Sequence, residues 1–150
     1  MTTVAYRNGT MAADSLITGG NMRCAKLWKI TRHDASGDLV GLAGGVAEAQ
    51  EFLNEFRRYG YPKKRNFDIG PETIGLIARR DGSIHMIEKG IIYPTEQDFL
   101  AIGSGDSFAM GAMKAGLGSI KAVKVAIELD IYSGGPVRYL RHDASRANTE

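Results

Sequence analysis

Thr2 stands behind a single methionine, and Thr3 follows it. Removal of Met1 would give Thr2 a free α-amine beside its own hydroxyl, placing a nucleophile and a base in one residue. An α-amine titrates at about 8 in isolation and accepts a proton at neutral pH, whereas a lysine at about 10.4 mostly cannot. A cation brought close lowers the amine's pKa further and helps to activate the hydroxyl. Lys26 is the candidate cation. It opens the segment Lys26-Leu27-Trp28-Lys29-Ile30, in which strand alternation puts Lys26 and Trp28 on one face and Leu27 on the other. Asp14 directly follows the strand Met11-Ala12-Ala13, a position suited to pairing with a buried lysine. An edge-strand lysine and a turn aspartate are the plain structural readings of these two residues.

Three glycine-rich corners offer further polar groups. Gly41-Leu42-Ala43-Gly44-Gly45 ends a predicted strand and begins a helix. Backbone N–H groups there could stabilise an oxyanion, helped by the helix N-terminus. The run is not a phosphate-binding P-loop, because no Gly-Lys-Ser/Thr ends it. Gly103-Ser104-Gly105-Asp106 and Asp130-Ile131-Tyr132-Ser133-Gly134-Gly135 add hydroxyls and carboxylates at two more element ends. Cys24 is a nucleophile by type, yet no histidine has a spacing that suggests pairing with it.

These groups must be held by a chain of 150 residues, which fits one domain over 1–150 with a core of useful size. A net charge of +2 argues against a nucleic-acid partner, and Arg57-Arg58 with Lys63-Lys64-Arg65 reads as solvated surface. One cysteine excludes an intrachain disulfide, and no cluster resembles a zinc site. No basic segment leads into an apolar run, and no stretch approaches the length of a membrane span, so the expected setting is cytoplasmic, with no membrane partner.

Asn8-Gly9 between Thr3–Arg7 and Thr10–Ala13 is a hairpin signal, and it outweighs a glycosylation reading of Asn8-Gly9-Thr10. Lys26–Thr31 and Leu39–Ala43 form a second expected pair, and Thr73–Ala78 with Ser83–Ile87 a third, across Asp81-Gly82. Val46–Arg58 has helical spacing, with Val46, Ala49, Phe52, Leu53 and Phe56 on one face. Residues 59–72 read as a loop. Phe99–Gly103 is a short strand, and Phe108–Ala115 reads as a buried helix. Ser119 is expected to cap another helix, with Ile120, Val123, Ala126 and Ile127 inward. Val137–Leu140 closes as a strand, followed by a polar tail. Hairpin connections predict largely antiparallel sheets, and two sheets with helices outside is the economical packing.

Five ordered motifs carry a family resemblance: Thr2-Thr3-Val4-Ala5 with Ala12-Ala13-Asp14-Ser15, Lys26 before Leu-Trp-Lys-Ile, Gly41 to Glu48, Ala101 to Gly111, and Asp130 to Gly135. The chain resembles proteasome β-type subunits, and among them the bacterial HslV kind. The resemblance implies an α+β fold, the four-layer αββα sandwich of N-terminal-nucleophile hydrolases, and a threonine endopeptidase that needs no cofactor. Thr2 would attack the scissile carbonyl and its amine would act as base. Lys26 and Asp14 would tune the amine, Asp130, Ser133 and Ser104 would orient it, and the Gly44 N–H would supply the oxyanion hole. Cys24, Leu42 and Val46 would line an apolar specificity pocket.

The family usually has two long helices after the Ala-Gly-Gly motif. Here one helix and a 14-residue segment stand in their place, so one helical layer should be shortened. That region serves ring stacking and an ATP-dependent unfoldase in the resembled enzymes. A homo-oligomeric ring acting on peptides or unfolded proteins is the expected assembly, and the unfoldase partner is put in doubt. Two alternatives stay open: an amidase of the same superfamily acting on small amides or restricted peptides, and a non-catalytic assembly subunit.

Overall fold

A computed structural model describes residues 2–63 and 69–143, together with the backbone of residues 148 and 149. Asn8 and Gly9 both have positive φ, 48° and 82°, as a two-residue type I′ turn requires. They join β1 (Val4–Arg7) to β2 (Thr10–Ala13) in antiparallel register. β3 (Leu16–Gly19) and β4 (Met22–Lys26) then form a separate two-stranded ribbon. β5 (Ile30–Arg32) and β6 (Leu39–Ala43) follow, and then α1 (Val46–Tyr59). Next come β7 (Ile74–Ala78), β8 (Ile84–Glu88), β9 (Ile91–Pro94) and β10 (Phe99–Ile102). The chain closes with α2 (Asp106–Lys114), α3 (Ser119–Leu129), β11 (Arg138–Arg141) and β12 (Asn148–Thr149).

Two five-stranded sheets result, β10-β1-β2-β11-β12 and β5-β6-β7-β8-β9. Strand alternation sorts their side chains into three apolar layers. Val4, Tyr6, Met11 and Ala13 of the first sheet meet Ile30, Leu39, Leu76 and Ile84 of the second. On the far side of the first sheet, Ala5, Ala12 and Ala101 pack under Met113, Val123 and Ala126 of α2 and α3. Beyond the second sheet, Val40, Leu42 and Ile77 pack under Phe52, Leu53 and Phe56 of α1. The order is helices, sheet, sheet, helix: an αββα sandwich. Among the described residues α1 is the only helix between β6 and β7, so that outer layer is short. The sheets approach closely at Gly41, where a Cβ would lie 2.5 Å from Val4 Cγ1 and 3.0 Å from Ile30 Cγ2.

Three local expectations are corrected. The strand predicted over Lys26–Thr31 is split, with β4 ending at Lys26 and β5 beginning at Ile30. Its chain crosses from ribbon to sheet: Leu27 N–H donates to Ser15 O, and Leu42 N–H donates to Lys29 O. Ser119 does not cap α3. It is the first helical residue after Gly118, and its hydroxyl donates to Thr10 O, tying the helix to β2. Val46 opens α1 but stays 40% exposed, so the buried face is Ala49, Phe52, Leu53 and Phe56. Residues 64–68 of the expected loop and 144–147 of the expected tail lie outside the described residues.

Candidate active site

Thr2 leads directly into β1 and is 4% exposed. Its nitrogen donates to Ser104 Oγ at 3.2 Å, and Ser104 Oγ donates in turn to Asp130 Oδ2 at 2.6 Å. Asp130 is the residue after α3, and Ser133 Oγ donates to the same carboxylate oxygen at 2.6 Å. Burial pushes the Asp130 carboxyl upward, yet hydrogen bonds from Ser104, Ser133 and the Tyr132 N–H outweigh it and hold the group below the ordinary carboxylate value.

A depressed carboxyl stabilises the fold fully above the unfolded value of about 3.9. That contribution disappears as pH falls through the folded value. Asp130→Asn should therefore flatten the acid side of a urea-midpoint profile below about pH 4. Parallel wild-type and variant curves would refute this.

Asp14, at the end of β2, is fully buried and ion-paired with Lys29, whose Nζ lies 2.8 Å from Oδ1. Lys29 Nζ also donates to Leu16 O at 2.6 Å. Thr3 N–H donates to Asp14 Oδ1 at 2.9 Å, while Gly134 N–H and Leu16 N–H donate to Oδ2 at 3.0 and 3.3 Å. Burial lowers the Lys29 pKa, and the Asp14 charge opposes that fall.

The expected partner of Asp14 was Lys26, and the geometry corrects this. Lys26 ends the ribbon strand β4, every residue of which is exposed, whereas Lys29 is 4% exposed. Alternation from Lys26 onward fails because residues 27–29 belong to no strand. A signal was available in the sequence: Lys29 immediately precedes Ile30, the apolar start of the sheet strand, so it is the lysine carried into the core.

Thr2, Asp14, Ser104, Asp130 and Ser133 are thus gathered at one end of the inner sheets. Gly44 sits apart from this cluster's bonds, exposed between β6 and α1 with φ of +128°; a Cβ there would lie 2.7 Å from Glu72 O. The expected pocket residues differ in exposure. Cys24 is exposed on β4, and Val46 is exposed at the start of α1. Leu42 is 2% exposed, because its position on β6 points it into the layer under α1. No group of His, Cys, Asp and Glu among the described residues could hold a metal ion. No helix among them is long and apolar enough to cross a membrane.

The four-layer αββα sandwich, with Thr2 just ahead of β1, is the architecture that the resemblance to N-terminal-nucleophile hydrolases implied. No protein-family model matches the chain. It is similar to proteasome subunit beta 1 of Pyrobaculum aerophilum, at 27% identity over 87% of this chain and 83% of that protein. It is also similar to proteasome subunit beta 1 of Pyrobaculum neutrophilum, at 28% identity with the same coverage. Among solved structures, Thiobacillus denitrificans BPH in complex with epoxomicin shares the fold at a TM-score of 0.67 and 20% identity, covering 93% of this chain and 96% of that one. A further structure of the same BPH gives a TM-score of 0.68, also at 20% identity, with 93% and 95% covered. These likenesses agree with the αββα sandwich and with the resemblance to proteasome β-type subunits that the sequence motifs carry.

Proposed function

We propose that this chain is a threonine-type endopeptidase whose nucleophile is the Thr2 hydroxyl after loss of Met1. The observation that carries the reading is the bond from Thr2 N to Ser104, backed by Asp130 and Ser133, with the buried Asp14–Lys29 pair close by through Thr3. The freed amine takes the hydroxyl proton, directly or through a water, as Thr2 Oγ attacks the carbonyl, and returns it to the departing amine. Lys29 supplies the positive charge that favours this transfer, and Asp14 holds Lys29 in place. The Gly44 N–H stabilises the oxyanion. Water then hydrolyses the Thr2 ester.

BPH is solved with epoxomicin, and the same peptide electrophile serves as a probe here. Intact mass should show a chain without Met1, and peptide mapping after epoxomicin treatment should place the adduct on Thr2. An active preparation that retains Met1, or an adduct elsewhere, would sink the mechanism. Cleavage of small amides with denatured protein left intact would give the amidase reading instead. An apolar preference before the cleaved bond is carried by Cys24, Leu42 and Val46 through the resemblance alone, and a peptide series differing at that position would read it.

The same reading takes a homo-oligomeric ring from the family. Met22, Leu129 and Ile131, exposed by 70%, 58% and 79%, support burial against further copies. A monomer by light scattering at working concentration would remove the ring.

A further inference from the structure

Resting on the reading just given, we propose that Thr3, beside the nucleophile, is a positioning residue whose hydroxyl sets the Ser133–Asp130 pair that orients the Thr2 amine. Thr3 is fully buried. Its Oγ1 lies 2.8 Å from Ser133 Oγ. Ser133 has one hydroxyl proton and gives it to Asp130 Oδ2 at 2.6 Å. The proton between Thr3 and Ser133 therefore comes from Thr3. Donation runs one way, from Thr3 through Ser133 to Asp130, and Ser104 brings a second donor to the same oxygen.

The backbone of Thr3 serves the other half of the site. Its N–H shares Asp14 Oδ1 with Lys29 Nζ. Thr3 therefore touches both acidic networks, with Gly134 N–H on Asp14 as a second tie. The Thr3 hydroxyl is directed to Ser133 Oγ, the far end of the chain that reaches Thr2 N through Asp130 and Ser104. A place is reserved for this hydroxyl: a Cβ at Gly105 would lie 2.0 Å from Thr3 Oγ1.

Each donor in such a chain polarises the next. Without the Thr3 hydroxyl, Ser133 donates less strongly, and Asp130 keeps more of its negative charge facing the amine. The amine then holds its proton to higher pH, while substrate contacts are untouched. Among the described residues, the charged groups that the Thr3 bonds reach are Asp14 directly, Lys29 through Asp14, and Asp130 through Ser133.

The test compares wild type with Thr3→Val, Thr3→Ala and Thr3→Ser. Valine keeps the shape, whereas alanine and serine both lack the methyl and differ only in the hydroxyl. Thr3→Val and Thr3→Ala should lower kcat about tenfold, the size of one lost hydrogen bond, with KM nearly unchanged. Both should move the acidic limb of the pH profile upward. Thr3→Ser should restore kcat and the limb. In a Ser133→Ala background, Thr3→Ala should cost nothing further, because its acceptor is gone. Should the valine variant not fold, the alanine–serine comparison decides alone. An active wild type labelled at Thr2, with Thr3→Ala matching Thr3→Ser in kcat and pH profile, overturns the proposal and leaves the proposed function standing. A wild type that neither turns over peptide nor labels at Thr2 overturns both.

Discussion

Thr2→Ala should extinguish peptide turnover, Lys29→Met should come close to it, and Lys26→Met should leave it near wild type. Residues that act as one catalytic unit do not contribute additively, and loss of one member removes most of what the unit supplies, about a thousandfold or more. On the proposed mechanism the alanine variant has no nucleophile. Lys29→Met keeps the nucleophile but removes the buried cation 2.8 Å from Asp14, so the Thr2 hydroxyl loses the field that eases proton transfer. Lys26 stands in the exposed strand β4, where solvent screens its charge. Initial rates on a chromogenic peptide for the three variants settle the assignment. Equal losses at positions 26 and 29, or full activity in Lys29→Met, would return the role to another group.

The second large effect concerns stability. Asp14 is fully buried and accepts from Thr3 N–H, Lys29 Nζ, Gly134 N–H and Leu16 N–H. It thereby fastens the end of β2 to the start of β1, to the chain entering β5 and to the loop before β11. Asp14→Ala would leave the buried Lys29 charge without that carboxylate and three N–H groups without their acceptor. Breaking a buried pair in this way costs about 3–5 kcal/mol, which urea unfolding would read directly. The double variant Asp14→Asn/Lys29→Met should recover part of that loss, because no buried charge is then left unpaired and the Asn oxygen still accepts on one side. Peptide turnover should stay absent in it. A stable, inactive double variant separates the structural work of the pair from its chemical work; recovered activity would show that the charge is not needed.

Much of the fold was legible in short-range pattern. Asn8-Gly9 demanded a tight hairpin because adjacent positive φ values suit few other pairs. The spacing of Ala49, Phe52, Leu53 and Phe56 marked the buried face of α1. The β3–β4 ribbon escaped notice, since every residue of β4 is exposed and the strand has no inward apolar face to reveal it. Ser119 looked like a cap because of its position, but Thr10 O lay within reach once α3 had packed on the first sheet.

The sequence alone determined which residue types were present for chemistry: an N-proximal threonine, a carboxylate after β2, two nearby lysines, and the Ser104, Asp130 and Ser133 groups. Their order also carried the family resemblance. Only the tertiary structure decided between the lysines, sent Leu42 under α1 and made Thr3 a link between two acidic networks. Local periodicity reports the face a side chain takes within one element. The partner of a buried charge depends on where separate elements cross, and Asp14 meets Lys29 because the chain leaves its ribbon between Lys26 and Ile30.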